Sequence, residues 1–194
     1  MTKFLLIYTH PYSGSFNHAV LEKVQEKLQR QGDTTDVIDL YRDGFNPAYD
    51  AEELKLFHAG QTHDPLVTQY LQKIKAAEAL IIITPIWWND IPGMLKGFID
   101  KVMKEGPGLT HVVTKRGVQG TLTNIKKGYI LTTSTSPTLY LRFFCGNAVK
   151  KVLIGATLKQ LGIRHVQWAN FGGITNSTEG QRRLYLQSSD KKAF

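Results

Sequence analysis

A single cysteine, Cys145, in 194 residues excludes an internal disulfide and any cysteine-held metal cluster, and it fits a reducing cytosol. No apolar run approaches the roughly 20 residues that cross a bilayer, so no membrane insertion is expected. The start of the chain, one lysine before a strand-length apolar run, lacks the form of a secretory leader, and a cytoplasmic location is expected. No run of five like charges occurs, which argues against a nucleic-acid-binding tail. The histidines His10, His18, His58, His63, His111 and His165 show no metal-ligand spacing, so no metal is expected. Neither GxGxxG nor GxxxxGK[ST] is present.

What remains is an ordinary globular composition, 42% hydrophobic, long enough for one large domain, taken here as residues 1–194. The charge is uneven. Residues 1–97 carry 9 Lys and Arg against 12 Asp and Glu, a balance of −3, and residues 98–194 carry 15 against 4, a balance of +11. A basic half suits phosphate-bearing ligands, although most of its lysines read as a solvated face.

Short apolar runs alternate with amphipathic stretches. Phe4 to Tyr8 predicts a buried strand, and Val20, Leu21, Val24 and Leu28 lie at helical spacing after it. Thr34 to Leu40 predicts a second strand and Ala51 to His58 a short helix. Asp64-Pro65 is a cap and first turn for a helix to about Ala77. Ala79 to Thr84 is the most apolar run and predicts a central strand that stops at Pro85. A helix follows from Pro92, with Leu95, Phe98, Ile99, Val102 and Met103 on one face. Residues 105–127 predict a long loop, of a kind that is usually functional or mobile. Gly128 to Thr133 predicts a fourth strand and residues 132–137 a hydroxyl-rich turn. A helix over 147–161, a fifth strand from Ile163 to Phe171 and a final helix from Thr178 to Gln187 complete the chain. Five strand–helix alternations predict an α/β fold, a five-stranded parallel sheet with helices on both faces. In such sheets ligands lie beyond the carboxyl ends of the strands, where the turns 9–17, 85–91 and 132–137 meet.

The first of these turns, Thr9 to Asn17, is rich in hydroxyls and opens a helix, with Ser15 or Asn17 placed as its cap. Free N–H groups and the positive dipole end make it an anion site suited to phosphate. From this turn alone, a well-capped loop without a ligand reads the same way. The second turn, Thr84 to Pro92, holds the adjacent tryptophans Trp87 and Trp88 together with Asn89. A core does not easily bury both indoles, but together they can wall a planar-ring site. A planar ligand carrying a phosphate has the shape of a flavin.

The stretch Pro85-Ile86-Trp87-Trp88, followed by Pro92-Gly93-Met94-Leu95-Lys96-Gly97-Phe98-Ile99-Asp100-Lys101-Val102, resembles the signature of the flavodoxin-like NAD(P)H:quinone oxidoreductases. His10-Pro11 with Ser15-Phe16-Asn17 resembles their phosphate turn, and Thr132-Thr133 their third flavin loop. Asp39-Leu40-Tyr41 with Phe45-Asn46-Pro47 resembles their second-strand exit. The resemblance implies a flavodoxin-like three-layer sandwich of strand order 2-1-3-4-5 and a homodimer with the flavin at the subunit boundary. It implies ping-pong chemistry, in which NAD(P)H gives hydride to flavin N5 and leaves, and a quinone or an azo or nitro aromatic acceptor then takes two electrons. It places His10, Ser15, Phe16 and Asn17 on the phosphate and ribityl chain. Pro85, Ile86, Trp87, Trp88 and Asn89 fall along the ring edge, and Thr132, Thr133 and Ser134 on the pyrimidine side. Ser134 and Thr135 stand where the family often has glycines. Tyr140 matches a tyrosine that steadies charge on the reduced flavin, while the position of the histidine paired with it falls near Gly146, where this sequence has no histidine. FMN and FAD share these turn contacts. A flavin-bound regulatory subunit and a flavodoxin-type electron carrier are the alternatives, the latter disfavoured by the net charge of +8.

Overall fold

The structure, a computed structural model, describes residues 1–191 and Phe194; Lys192 and Ala193, at the end of the domain expected over 1–194, lie outside the described residues. Strand β1 (Lys3–Tyr8) is buried from Phe4 onward. Successive side chains of a strand point to opposite faces, and here both faces are apolar. Phe4, Leu6 and Tyr8 pack with Val20, Leu21, Val24 and Leu28 of α1 (Phe16–Arg30), and with Tyr185 and Leu186 of α6 (Glu179–Lys191). Leu5 and Ile7 join a second cluster with Val67, Tyr70 and Ile74 of α3 (Pro65–Ala76) and with Leu95 and Phe98 of α4 (Gly93–Val102). The sheet is thus the middle of three layers. Its five strands are all parallel, with β1 between β2 (Thr34–Asp39) and β3 (Ala79–Pro85), then β6 (Lys127–Ser134) and β7 (Val166–Gly172). Counting these five alone, the order is 2-1-3-4-5, as expected.

All seven residues of β3 are buried, which suits the centre of the sheet. The helices start where their caps stand. Asp64 Oδ1 accepts from Leu66 N at 3.0 Å with Pro65 in the first turn of α3, and Asp50 Oδ1 accepts from Glu53 N at 2.7 Å at α2 (Ala51–Leu56). Gly97 on α4 meets the 41–50 loop directly: a Cβ there would lie 2.4 Å from the Pro47 carbonyl oxygen.

Three expectations change. The segment 105–127 is not one long loop, because it folds an antiparallel hairpin of β4 (His111–Thr114) and β5 (Gly117–Gly120). Val112, Val113 and Val118 favour strand, and Gly120 sits against the Leu161–Gly162 backbone with no room for a Cβ. A six-residue helix, α5 (Thr138–Phe143), follows the hydroxyl-rich turn and is too short for a periodic signal. The last strand starts at Val166 rather than Ile163. Ile163 still donates its N–H to the Leu158 carbonyl, past the left-handed Gly162 that ends the helix, and a π-helix over Val149–Leu158 replaces the expected helix interior.

Two buried lysines near the end of α4 hold the excursion between β2 and β3 in place. Lys101 Nζ donates to the Asn46 carbonyl at 2.8 Å and to Asp64 Oδ2 at 3.1 Å. Lys104 Nζ meets Glu53 Oε1 at 2.5 Å, with both side chains fully buried. Burial pushes the Glu53 carboxyl up, but the hydrogen bonds from Lys104 and Thr62 outweigh it and hold the group below its ordinary value. Removing one partner strands a buried charge. Lys104→Met is therefore expected to lower the unfolding free energy by about 3–5 kcal/mol. The double variant with Glu53→Leu is expected to recover most of that loss, as measured by chemical denaturation.

Candidate functional site

The parallel sheet brings the ends of β1, β3 and β6 to one edge, and the three turns meet there. Ser15 caps α1: its Oγ accepts from His18 N at 3.2 Å and lies 3.3 Å from the Tyr8 hydroxyl. The first turn of α1 carries no acidic residue. The N–H groups of Phe16 and Asn17, which precede the first intrahelical bond, therefore sit at a positive helix end with no carboxylate beside them.

His10 is half-buried and meets Trp87 edge to face at 6.1 Å between ring centroids. Burial lowers its pKa below the ordinary value, with the Tyr12 backbone pulling the other way, so the ring is neutral at pH 7. Its Nδ1 lies 3.1 Å from Tyr12 N and 3.3 Å from the Tyr12 carbonyl; in the tautomer that accepts from Tyr12 N, Nε2 carries the proton and is a donor.

His10, Ser15, Phe16 and Asn17 line one cavity of about 190 Å³ with Pro85, Ile86, Trp87, Thr133 and Ser134. A second cavity of about 570 Å³ is lined by Ile86, Trp87, Trp88 and Asn89 from the same turn, by Ser134 to Ser136, and by Tyr140 on α5. The two cavities share Ile86, Trp87, Ser134 and Thr135, so they adjoin.

Thr132 lies apart. It is buried behind the edge and lines neither cavity. Its hydroxyl donates to Asn170 Oδ1 at 2.7 Å and accepts from Trp168 Nε1 at 2.9 Å. Thr133 sits at the junction of the turns, where its hydroxyl accepts from Asn17 Nδ2 at 2.8 Å and its carbonyl accepts from Ile86 N at 2.7 Å.

Ser134, where a glycine was the family's usual residue, does not close the site. Its hydroxyl is turned aside, donating to the Ser136 carbonyl at 2.7 Å and accepting from Asn170 Nδ2 at 2.9 Å. Neither Ser134 nor Thr135 has a positive φ, so this turn does not require glycine. Tyr140 is about half exposed and stacks on Phe144 at 5.6 Å.

Sequence reasoning missed Asn170. Its amide also donates to Thr138 Oγ1 at 2.9 Å, fixing the start of α5 and with it Tyr140. Asn170 lies on β7, an edge strand whose pattern singles out no position, and only the fold brings it to Ser134. Trp168 was missed for the same reason. Among the described residues no group of three or more His, Cys, Asp or Glu is arranged to hold a metal ion, and no helix is long and apolar enough to cross a membrane.

A family model described as a flavodoxin-like fold matches residues 2–191. An uncharacterized NAD(P)H oxidoreductase of Haemophilus influenzae is 26% identical over 189 residues, covering 97% of this chain and 92% of that protein. A ribosyldihydronicotinamide dehydrogenase [quinone] of Pongo abelii is 30% identical over 120 residues, and the match spans about half of each, 54% of this chain and 52% of that protein. Among solved structures, an NAD(P)H:quinone oxidoreductase from Methanothermobacter marburgensis superposes with a TM-score of 0.86 at 26% identity, covering 98% of this chain and 96% of that one.

Two substitutions separate the cap from the support behind the site. Ser15→Ala removes one cap and is expected to lower stability by about 1 kcal/mol. Asn170→Leu leaves the buried Thr132 and Ser134 hydroxyls and the half-buried Thr138 hydroxyl each short of a partner and is expected to lower it by about 2–3 kcal/mol. Thermal unfolding of the two variants checks the order.

Proposed function

Because the chain belongs to the family of the flavodoxin-like fold, we propose that it is an NAD(P)H-dependent oxidoreductase. In this reading it holds a flavin, FMN or FAD, and passes two electrons to a quinone or to a related azo or nitro aromatic acceptor. The observation that carries the reading is the pair of adjoining cavities. One is walled by an acid-free helix start and a neutral histidine donor, the other by aromatic and amide groups.

The residues fit a flavin. Asn17, which lines the smaller cavity, has its buried Oδ1 without a hydrogen-bond partner among the described residues, which is unusual unless something else meets it. The Thr133 hydroxyl can donate as well as accept, so the Asn17 amide turned over keeps that bond and presents its NH₂ instead. His10 Nε2–H, Ser15, and the Phe16 and Asn17 N–H groups would hold the phosphate and the polyol chain. The backbone from Pro85 to Asn89 would lie along the ring edge. Thr133 and Ser134 would close the pyrimidine side, with Thr132 acting from behind through Asn170.

A bound flavin supplies acceptance of hydride from the nicotinamide and return of two electrons to the acceptor, in a ping-pong sequence. The chain supplies position, a wall of aromatic, amide and hydroxyl groups, and a phenol at Tyr140 that donates a hydrogen bond toward negative charge building in the larger cavity. Leu139, Phe143 and Phe144 stand at least 65% exposed on and just after α5, an apolar face that supports a homodimer closing over this edge. Residues 1–194 read as one domain, working in the cytoplasm where Cys145 stays reduced.

An absorption spectrum of the protein with flavin added back tests the reading. Bands near about 375 and 450 nm that bleach on anaerobic NADPH or NADH are expected. Bound flavin that neither donor bleaches would favour an electron carrier or a regulatory subunit. Tyr140→Phe is expected to slow the reductive half-reaction by about 10- to 150-fold, since a hydrogen bond to a charged group contributes about 1.5–3 kcal/mol. Unchanged stopped-flow rates would remove Tyr140 from the chemistry.

A further inference from the structure

The turn after β6 carries five hydroxyls in a row, Thr132 to Ser136. The fold uses three of them. Thr132 serves Asn170 and Trp168, Thr133 serves Asn17, and Ser134 serves Asn170 and the Ser136 carbonyl. Among the described residues the side-chain hydroxyls of Thr135 and Ser136 enter no hydrogen bond. The two differ in place. Ser136 lines only the larger cavity, whereas Thr135 is exposed and lines both, at their junction.

The backbone on either side of Thr135 is held. Ser134 before it ends β6, and the Ser136 carbonyl after it accepts from Ser134 Oγ at 2.7 Å and from Gly173 N at 3.3 Å. Gly172 lies against the same carbonyl, where an added Cβ would stand 3.0 Å from the oxygen. A β-branched side chain on such a backbone has few rotamers, so its hydroxyl is aimed. The charges around the two cavities give that hydroxyl its importance. Among the described residues no lysine or arginine lines either cavity, and His10 is neutral. Negative charge developing at the junction is therefore met by uncharged donors alone. A hydrogen bond to a charged acceptor is roughly twice as strong as one to a neutral acceptor, so a fixed donor favours whichever state carries the charge.

We propose that the Thr135 hydroxyl raises the reduction potential of the bound flavin, by donating a hydrogen bond that strengthens when the ring carries charge. This rests on the oxidoreductase reading above, which puts the pyrimidine side of the ring against the turn after β6. A hydride brings two electrons and one proton to a neutral ring and leaves it with one negative charge, shared over that pyrimidine side. The donor meets both states and holds the charged one more tightly, so reduction becomes more favourable. Glycine at this position offers a backbone N–H and no hydroxyl. The contact therefore belongs to this chain's own side chain and is not supplied by the glycine-bearing form of the turn.

The test uses the full chain loaded with FMN, or with FAD if that alone binds, as the wild type, Thr135→Val, Thr135→Gly and Thr135→Ser. The midpoint potential is read by equilibration with a reference dye, and the Kd of the oxidised flavin by quenching of its fluorescence. Thr135→Val keeps the shape and loses the donor. Its reduced flavin is expected to bind about tenfold more weakly relative to the oxidised form, a fall in potential of about 30 mV for a two-electron couple. The Kd of the oxidised flavin is expected to change by less than about threefold. Thr135→Gly is expected to fall likewise, and Thr135→Ser to recover most of the loss. An unchanged potential in Thr135→Val overturns the proposal, including the case in which affinity drops equally for both oxidation states. So does a fall that Thr135→Ser leaves in place, which would trace the effect to shape and not to the hydroxyl. If the wild type binds neither FMN nor FAD, the oxidoreductase reading has failed and the proposal falls with it; flavin that binds with an unchanged potential removes the role of Thr135 alone.

Discussion

The candidate site depends on one residue at the end of one strand. Thr133 on β6 accepts the Ile86 N–H through its carbonyl and the Asn17 amide through its hydroxyl. Those two bonds fasten the aromatic turn and the helix start to the hydroxyl-rich turn, so three loops far apart in the sequence become one rim. Both bonds lie at the sheet edge, next to β3, whose residues are all buried and whose last residue, Pro85, ends the ladder there. The rim is therefore anchored directly to the centre of the sheet. A preorganised rim of this kind holds donors in place before anything binds, which spares the ordering cost that a loose loop would incur.

Behind the rim lies a second tier. Trp168, Thr132, Asn170, Ser134 and Thr138 form a continuous hydrogen-bonded chain from β7 to the first residue of α5. Such networks are worth having only when every member is satisfied, and here Asn170 uses both ends of its amide. This tier explains how Ser134 stands where glycine was expected. The hydroxyl is not tolerated at the site so much as employed away from it.

Much of this was legible in the sequence. The apolar runs of β1 and β3, the Asp64-Pro65 cap and the helical spacing of Leu95, Phe98 and Val102 fixed the architecture, because burial on both faces leaves a strand no other composition. The hydroxyl-rich and aromatic turns stood out in the sequence too, since paired indoles after a buried strand are hard to place in a core, whereas hydroxyls before a helix alone also fit a simple cap. The remainder was not. The β4–β5 hairpin has short, exposed strands whose pairing is decided by Gly120 resting on Leu161 and Gly162. Asn170 carries no local signature at all, because its role exists only once β6 and β7 lie side by side. Thr132, by contrast, was visible as a motif residue but not as a buried one. Local pattern shows which hydroxyls are available and not which way they turn.

Gly97 gives the motif itself a different meaning. It belongs to the stretch from Pro92 to Val102 that marks the family, yet it touches neither cavity and faces the Pro47 backbone at a distance that admits only hydrogen. A signature read as chemistry is, at this position, a record of clearance between a helix and the loop crossing it. Substitution there would announce itself first as a displaced loop, and drift in the surrounding loop would relax the demand for glycine. A chain could therefore lose this letter of the signature and keep its chemistry, or keep the letter long after the chemistry had gone.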